Sequence, residues 1–246
     1  MNSDYSYEIE EVRNILAGAE YAVFFGGAGV STDSGIPDFR GNGGLYDSDD
    51  DSNEYCLSKE CIIGEPERFF TFFRNNMVFS QVEPNAAHIA LAKMERAGII
   101  KAVVTQNIDG LHQKSGSERV LELHGSSNRY YCSRCGKVYD NDYFLQQENV
   151  PRCSVCGSVV RPDVTLYGEA LDGFVYSEAE EEISNADVLI VGGSSLVVNP
   201  AASLVDVFQG EHLIIINYSP TPYDGLAEYI IRDSISDVLG KLADLL

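Results

Sequence analysis

Two kinds of hydrophobic pattern alternate along the chain, one typical of amphipathic helices and one typical of buried strands. Near the N-terminus, Ile9, Val12, Ile15 and Leu16 have the spacing of one face of an amphipathic helix. Four short apolar runs are typical of buried strands, and they span residues 21–25, 102–105, 188–191 and 213–217. Segments with helical spacing lie among them, for example at 86–97 and 177–184. Strands that alternate with helices predict an α/β fold with a parallel sheet covered on both faces.

A glycine-rich turn follows the first predicted strand. It contains Gly27, Ala28 and Gly29, and residues 31–33 are of types that commonly begin a helix. Small residues at such a turn allow a backbone to approach a pyrophosphate, whose charge the amides at a helix N-terminus can bind. Thr32 stands where a dehydrogenase fingerprint has its third glycine, which argues against a hydride-transferring dehydrogenase. On these residues alone, a structural turn without a ligand remains the alternative.

Two C-x-x-C pairs lie in a segment of different character, residues 130–161, which interrupts the α/β pattern. The pairs are Cys132 with Cys135 and Cys153 with Cys156, and 17 residues separate them. This spacing predicts four thiolate ligands for one zinc ion. Four protein ligands leave no coordination position for a substrate, so the zinc is predicted to be structural. Redox-active pairs are the alternative.

The composition is that of a folded, strongly acidic protein. The 246 residues include 17 Lys and Arg against 38 Asp and Glu, which gives a net charge of −21. This charge repels nucleic acid and anionic membrane surfaces, so we expect neither as a partner, and it favours a basic peptide. No apolar run approaches the roughly 20 residues of a membrane span, and the acidic N-terminus does not resemble a signal peptide. We therefore expect a cytoplasmic protein.

Cysteine usage agrees with a reducing compartment. Six cysteines are too few for a disulfide scaffold in a chain of this length. Cys56 and Cys61 lack the spacing of the other four and are predicted to be ordinary reduced thiols. The acidic stretch at 47–51 is predicted to be a solvated loop.

Three separated blocks have sequences that occur together in one family. They are Gly-Ala-Gly-Val-Ser-Thr-Asp-Ser-Gly-Ile-Pro-Asp-Phe-Arg-Gly at 27–41, Thr-Gln-Asn-Ile-Asp-Gly-Leu-His at 105–112 and Glu-Leu-His-Gly at 122–125. In these blocks the chain resembles the sirtuins, the NAD-dependent protein deacylases. The cysteine pairs follow the third block, where that family carries a zinc ribbon, and segments 193–196 and 216–217 are similar to its later NAD-binding segments. The resemblance extends from about residue 8 to residue 240.

The resemblance implies a large Rossmann-type domain with a smaller domain inserted into it. We expect the NAD-binding domain to comprise residues 1–40, 86–129 and 162–246. A helical insertion with a cofactor loop at 41–85 and a zinc-ribbon module at 130–161 would form the small domain. NAD, consumed as a co-substrate, and an acyl-lysine peptide would meet in the cleft, and one structural Zn²⁺ would bind the four cysteines.

The resemblance also implies roles for individual residues. His124 is expected to be the catalytic base, because it follows a strand-like run and a histidine pKa suits proton abstraction near neutral pH. Asn107, also expected to be catalytic, and Asp109 would point to one side of an extended segment, as a pocket for ribose and nicotinamide requires. Phe39 is expected over the nicotinamide and ribose, and Arg40 near the phosphates. The expected cofactor-binding residues are Gly27, Ala28, Gly29, Asp38, Phe39, Arg40, Gln106, Asn107, Ile108, Asp109, Gly193, Ser194, Ser195, Asn217 and Ile235.

The activity implied is deacylation of lysine in proteins, with acetyl as the first expected acyl group. The acyl oxygen would attack the ribose carbon that carries nicotinamide, and His124 would then deprotonate a ribose hydroxyl so that the sugar takes over the acyl group. The products would be lysine, nicotinamide and O-acyl-ADP-ribose. One alternative is a mono-ADP-ribosyltransferase or NAD glycohydrolase on the same fold, against which the presence of His124 argues. The other is a non-catalytic module that binds NAD or an acyl-peptide. His112 is predicted to be structural.

Two positions bear on the acyl group. Relatives that prefer succinyl- or malonyl-lysine carry a Tyr-x-x-Arg pair, and the corresponding residues here are Phe73 and Asn76. Neither can neutralise a carboxylate, and an unpaired buried anion is costly, so neutral acyl groups on basic peptides are expected. Arg74 is the alternative partner for an acidic acyl group, if the alignment shifts by a residue or two.

Overall fold

The architecture is described from a computed structural model, which defines residues 5–39, 44, 52–79 and 81–246. The strands within these residues are β1 (Ala22–Gly26), β2 (Ile100–Thr105), β3 (Val120–Glu122), β4 (Gly125–Cys132), β5 (Val138–Tyr139), β6 (Val160–Val164), β7 (Val188–Gly192), β8 (His212–Ile216) and β9 (Tyr229–Ile231). The α-helices are α1 (Ser6–Gly18), α2 (Ser52–Cys56), α3 (Lys59–Gly64), α4 (Pro66–Asn76), α5 (Ala86–Arg96), α6 (Leu111–Ser115), α7 (Asn141–Leu145), α8 (Gly173–Asn185) and α9 (Ile235–Leu245).

Six of these strands form a parallel sheet in the order β3-β2-β1-β7-β8-β9. Every residue of β1 is buried, because alternate side chains enter two apolar layers. Phe24 packs in one layer with α1, α5 and α9, whereas Val23 and Phe25 pack in the other with α8 and the 3₁₀ helix Ala201–Val207. One strand therefore contributes to two cores, and the predicted parallel sheet with covered faces is confirmed.

The four predicted strands correspond to β1, β2, β7 and β8. The sequence pattern does not predict β9, because three residues are too few to show a period. The expected helix after the glycine turn is wrong: the segment contains two 3₁₀ turns, Ala28–Val30 and Thr32–Ser34. Gly35 ends the second turn in the left-handed conformation, with φ of 90°. Pro37 follows it, and proline lacks the N–H that a longer helix would need.

The remaining strands form an antiparallel sheet in the order β5-β4-β6. A third apolar cluster joins this sheet to the helices: Phe70 and Phe73 of α4 and Phe144 of α7 are fully buried beside Tyr130 of β4. The rings of Tyr130 and Phe144 stack with their centroids 4.3 Å apart. The predicted helical insertion and the predicted zinc module therefore share one core.

The acidic stretch at 47–51, predicted to be a loop, lies outside the described residues. Among the helices in the described ranges, none has the length and apolar composition that a bilayer crossing requires.

Candidate active site at the carboxyl edge of the sheet

The loops after β1, β2, β7 and β8 meet at the carboxyl edge of the parallel sheet and surround a cavity of about 550 Å³. This is the edge at which open α/β sheets bind ligands, and the volume falls within the usual range for ligand pockets. The cavity also reaches α4 of the helical insertion, through Phe73, Asn76 and Met77. The cavity therefore lies between the carboxyl edge of the parallel sheet and the helical insertion.

The glycine turn after β1 is fixed by contact with the turn after β7. The N–H of Gly29 donates to the carbonyl oxygen of Gly193 at 2.8 Å, and Gly193 has a left-handed φ of 58°. A Cβ atom added to Gly29 would lie 2.8 Å from the Cα of Gly193. A Cβ atom added to Gly27 would lie 2.8 Å from the carbonyl oxygen of Gly193. Glycine is thus required at 27 and 29 by backbone packing within the protein, whatever binds above the turn.

A buried hydroxyl connects the loops after β1 and β2. Ser31 donates to Oδ2 of Asp109 at 2.7 Å and accepts from Nδ2 of Asn107 at 3.1 Å. The other carboxylate oxygen of Asp109 accepts from the N–H of Leu111 at 2.8 Å. Burial raises the pKa of Asp109, and these hydrogen bonds from Leu111 and Ser31 oppose the rise. Ser31 is absent from the residues expected from sequence, although it stands inside the first sequence block.

Two further histidines lie behind Ser31. Nε2 of His88 is 3.4 Å from the Ser31 hydroxyl, and His88 also closes a capping box with Asn85 at the start of α5. Burial lowers the pKa of His88 to about 4. His112 is fully buried against His88, with ring centroids 4.8 Å apart, and its pKa lies well below the ordinary value because of burial. Neither ring nitrogen of His112 has a hydrogen-bond partner among the described residues.

His124 lies directly after β3 and lines the cavity. Its Nδ1 atom is 2.9 Å from the backbone carbonyl oxygen of Gln106, which can only accept a hydrogen bond, so Nδ1 carries the proton. Burial lowers the pKa of His124, and the hydrogen bond to Gln106 opposes this effect. The ring is therefore neutral at pH 7 and holds a free lone pair at Nε2, which is the requirement for a general base.

The cavity brings the sequence-predicted residues together. Those that line it are Gly27, Ala28, Gly29, Asp38, Phe39, Gln106, Asn107, Ile108, Asp109, His124, Gly193, Ser194, Ser195, Asn217 and Ile235. Arg40 lies outside the described residues. Ser31, Asp233 and Ser234 also line the cavity and are missing from the predicted set. Of these three residues, only Ser31 could have been found from the sequence, because it lies inside the first sequence block.

The four cysteines of the C-x-x-C pairs converge beside β4 and β6. Their Sγ atoms all lie within 4.8 Å of one another, at 3.4 Å for Cys132 and Cys156 and at 3.6 Å for Cys135 and Cys153. Thiolates bound tetrahedrally to zinc at about 2.3 Å are about 3.8 Å apart, so the spacing fits this ion. The hydroxyl of Tyr139 donates to the Cys153 sulfur at 3.1 Å, and such a donor stabilises a thiolate ligand.

Arg74 does not line the cavity, although its neighbour Phe73 does. The Arg74 guanidinium donates to the backbone carbonyl oxygens of Gln147 and Asn149, and its central carbon lies 5.0 Å from the centre of the Phe144 ring. Burial lowers the pKa of Arg74. Arg74 therefore connects α4 to the segment after α7 and does not face the cavity.

The parallel sheet, its carboxyl-edge cavity and the four-cysteine module define the class: a Rossmann-type protein with an inserted zinc-ribbon-like unit. Comparison with known proteins is more specific. Residues 27–200 match the Sir2 family, and the chain belongs to that family.

Relatives and solved structures agree over nearly the whole chain. The NAD-dependent protein deacetylase of Clostridium acetobutylicum is 50% identical over 236 residues, which are 94% of this chain and 96% of that protein. The NAD-dependent protein deacetylase of Clostridium perfringens is 48% identical and covers 96% of this chain and 99% of its own. A solved Sir2 complex with a p53 peptide and NAD⁺ has a TM-score of 0.87 at 38% identity, covering 96% of this chain and 97% of that one.

Proposed function

We propose that the chain is an NAD-dependent protein lysine deacetylase, which releases nicotinamide and O-acetyl-ADP-ribose. The observation that carries the proposal is the neutral imidazole of His124, which faces the same cavity as the glycine turn and the Asn107–Ser31–Asp109 network. The names of the relatives that match over 94% or more of the chain support the same activity.

The cavity fits a dinucleotide by its donor set. Backbone N–H groups are available at the N-terminus of α9, and neutral side chains are supplied by Ser194 and Asn217. Phosphates and ribose hydroxyls are the groups that such donors bind. The N–H groups of Gly27 and Gly29 donate to the carbonyl oxygens of Gly192 and Gly193, so the glycine turn contributes mainly the space for a close approach. When bound, NAD supplies an ADP-ribosyl group joined to nicotinamide by a bond that can be broken. Asn107 would orient the nicotinamide end, and Asp109 would hold Ser31 and Asn107 in place.

His124 would move one proton. Its Nε2 would take the proton from a ribose hydroxyl, which makes that oxygen a nucleophile toward the acyl carbon. The imidazolium that results would keep its Nδ1–H on the Gln106 carbonyl, and this hydrogen bond becomes stronger when the ring is charged. The base is thus held in one tautomer before and after the transfer.

The zinc ion and the small domain are proposed to have a structural role. Four cysteine ligands would close the coordination sphere, so the metal would supply no chemistry to the substrate. We propose that residues 41–85 and 130–161 form the small domain and that 1–40, 86–129 and 162–246 form the large one. The apolar cluster shared by α4, α7 and β4 supports this division.

The proposed substrates are neutral acyl-lysines, acetyl first, in basic surroundings. A second cavity of about 440 Å³ shares Val164, Thr165, Gly168 and Glu169 with the first, and its lining has four acidic side chains against two basic ones. Together with the net charge of −21, this favours lysine and arginine next to the modified residue. A cytoplasmic location is proposed from the reduced cysteines.

The test is incubation of the zinc-loaded protein with NAD and a basic peptide that contains acetyl-lysine, followed by mass spectrometry of all products. O-acetyl-ADP-ribose with free lysine in the peptide is the expected result. ADP-ribose attached to protein would indicate a transferase, and ADP-ribose with an intact acetyl-peptide would indicate a glycohydrolase. If no product forms, the result would indicate a non-catalytic module that binds NAD or an acyl-peptide. The same peptide without the acetyl group is the control.

A further inference from the structure

The segment after β8 forms one wall of the cavity. Asn217, Tyr218 and Ser219 line it, as do residues of the turn after β1. The N–H of Asn217 donates to the carbonyl oxygen of Ile231 at 3.1 Å, which extends the pairing of β8 with β9 by one residue. Beyond that hydrogen bond the segment leaves the sheet, so other contacts must fix the position of the Asn217 side chain.

Arg232 supplies these contacts from the residue after β9. One terminal nitrogen of its guanidinium donates to two carbonyl oxygens, that of Asn217 at 2.9 Å and that of Ser219 at 3.0 Å. The other terminal nitrogen pairs with a carboxylate oxygen of Asp224. The Asn217 side chain donates to the same Ser219 carbonyl at 2.8 Å. A single side chain thus holds the backbone on both sides of Tyr218.

Asp224 in turn fixes the far end of the segment. Its other carboxylate oxygen accepts from the N–H of Thr221 at 3.1 Å and from the Thr221 hydroxyl at 2.8 Å. About a quarter of the Arg232 and Asp224 side chains is exposed, so the pair is partly shielded from solvent. The guanidinium contacts the two carbonyls with one nitrogen and the carboxylate with another, whereas the three donors of a lysine ammonium all share one nitrogen and fit these separated acceptors less well.

We propose that Arg232, paired with Asp224, is a positioning residue for NAD: it holds the 217–219 wall in the conformation that binds the dinucleotide. Arg232 does not line the cavity itself, whereas Asp233 and Ser234, which follow it, do. Its effect would therefore be on cofactor affinity and not on proton transfer at His124. The proposal rests on the proposed function for the identity of the ligand.

The primary test is calorimetric binding of ADP-ribose to the folded, zinc-loaded protein, which requires no turnover. We expect Arg232→Gln to weaken ADP-ribose binding about tenfold, and Arg232→Lys to lose part of that affinity, because charged hydrogen bonds to the wall are lost. The matched control is Arg119→Gln, which breaks an ion pair with Glu182 at 3.0 Å away from the cavity. It should bind ADP-ribose as the unmodified protein does.

Kinetics provide a second readout. In Arg232→Gln we expect the KM for NAD to rise about tenfold while kcat at saturating NAD and the KM for the acetyl-peptide stay within about twofold. ADP-ribose affinity within about twofold of the unmodified protein in Arg232→Gln would overturn the proposal, as would an equal loss in Arg119→Gln. If Arg232→Gln does not fold, ADP-ribose affinity and the KM for NAD are measured in Arg232→Lys and Asp224→Asn, and unchanged values in both would overturn the proposal. Absence of turnover in the unmodified protein would refute the proposed function only, since the binding comparison still stands.

Discussion

The Nδ1 atom of His124 lies 2.9 Å from the backbone carbonyl oxygen of Gln106. Gln106 is itself fixed at two other points: its N–H donates to the carbonyl oxygen of Gly26 at 3.0 Å, and its side-chain amide donates to the Ser194 hydroxyl at 3.0 Å. Gln106 itself follows β2, so the orientation of the His124 ring is linked to the carboxyl ends of three strands, β1, β2 and β7.

Replacement of the base is the first prediction. We expect His124→Ala to lower kcat for acetyl-peptide by about 10²- to 10⁴-fold, because one general base contributes about that much. ADP-ribose binding should change little, since Gln106, the partner of the His124 ring, keeps its hydrogen bonds to Gly26 and Ser194. His212→Ala, which removes a histidine paired with Glu228 at the opposite end of β8, is the control and should retain activity. Turnover near the unmodified rate in His124→Ala would remove this residue from the mechanism.

The pH dependence of the reaction follows from the same residue. Burial lowers the pKa of His124, so the ring loses its proton at a lower pH than an ordinary histidine, whose pKa is about 6.5. We expect kcat/KM for the acetyl-peptide to be constant from about pH 7 to about pH 8 and to decline only at lower pH. A pH profile with its lower inflection above pH 7 would contradict this assignment.

His112 is predicted to make folding pH-dependent. Its pKa is lowered in the folded protein, so below about pH 6.5 the unfolded chain takes up a proton that the folded chain does not, and stability falls as the pH falls. We expect His112→Leu to reduce this loss by up to about 1.4 kcal/mol per pH unit between about pH 6 and pH 5. The measurement is urea unfolding of both proteins at each pH, and the difference between them cancels the carboxylate contribution.

The same variant has an expected effect at pH 7. Neither ring nitrogen of His112 has a partner among the described residues, and a buried unpartnered polar group lowers stability. Leucine has similar volume and no polar atom, so His112→Leu should be at least as stable as the unmodified protein at pH 7. A loss of more than about 2 kcal/mol would indicate that the imidazole makes a stabilising interaction.

Loss of one thiolate should release the metal. We expect the unmodified protein to contain one zinc ion per chain and Cys153→Ser to contain much less, with a lower midpoint of thermal unfolding, because the closed site is opened. Cys56→Ser is the control, since Cys56 is buried away from the cluster and should leave the zinc content unchanged. Metal analysis that finds no zinc in the unmodified protein would refute the assignment.

Acyl preference is predicted from α4. Phe73 and Asn76 line the cavity, and the Asn76 amide donates to the Phe72 carbonyl at 2.9 Å, so neither offers a positive charge. Arg74 is directed to the carbonyls of Gln147 and Asn149. We expect a higher kcat/KM for acetyl-lysine than for succinyl-lysine in the same basic peptide, and Arg74→Ala should keep that order. Equal or greater efficiency with succinyl-lysine would contradict the prediction.

Structural features that depend on residues close together in the chain could be predicted from the sequence. The spacing of Cys132, Cys135, Cys153 and Cys156 predicts the four-cysteine cluster, because each pair forms its own turn. The parallel strands follow from short apolar runs, each of which is buried on both faces. The expected helix at 31–33 fails for a local reason as well, since Gly35 and Pro37 end the segment before an α-helix can form.

Features that depend on distant segments could not be predicted. The Ser31 hydroxyl meets Asn107 and Asp109 only because β1 and β2 pair in one register, with Gly26 opposite Thr105. The direction of Arg74 depends on where the segment after α7 packs, which no pattern near residue 74 reveals. Arg232 is similar, because two of its three partners are backbone carbonyl groups, which every residue has.

The order in which the cavity walls occur along the chain has a consequence for biosynthesis. The wall that Arg232 supports follows β8, and the last cavity-lining residues stand at the start of α9, while the first stand after β1. A growing chain on the ribosome therefore exposes the edge of β7 until most of its length has been translated. The cavity is complete only after α9 has been translated, and until β8 joins the sheet the unpaired edge of β7 can pair with other chains.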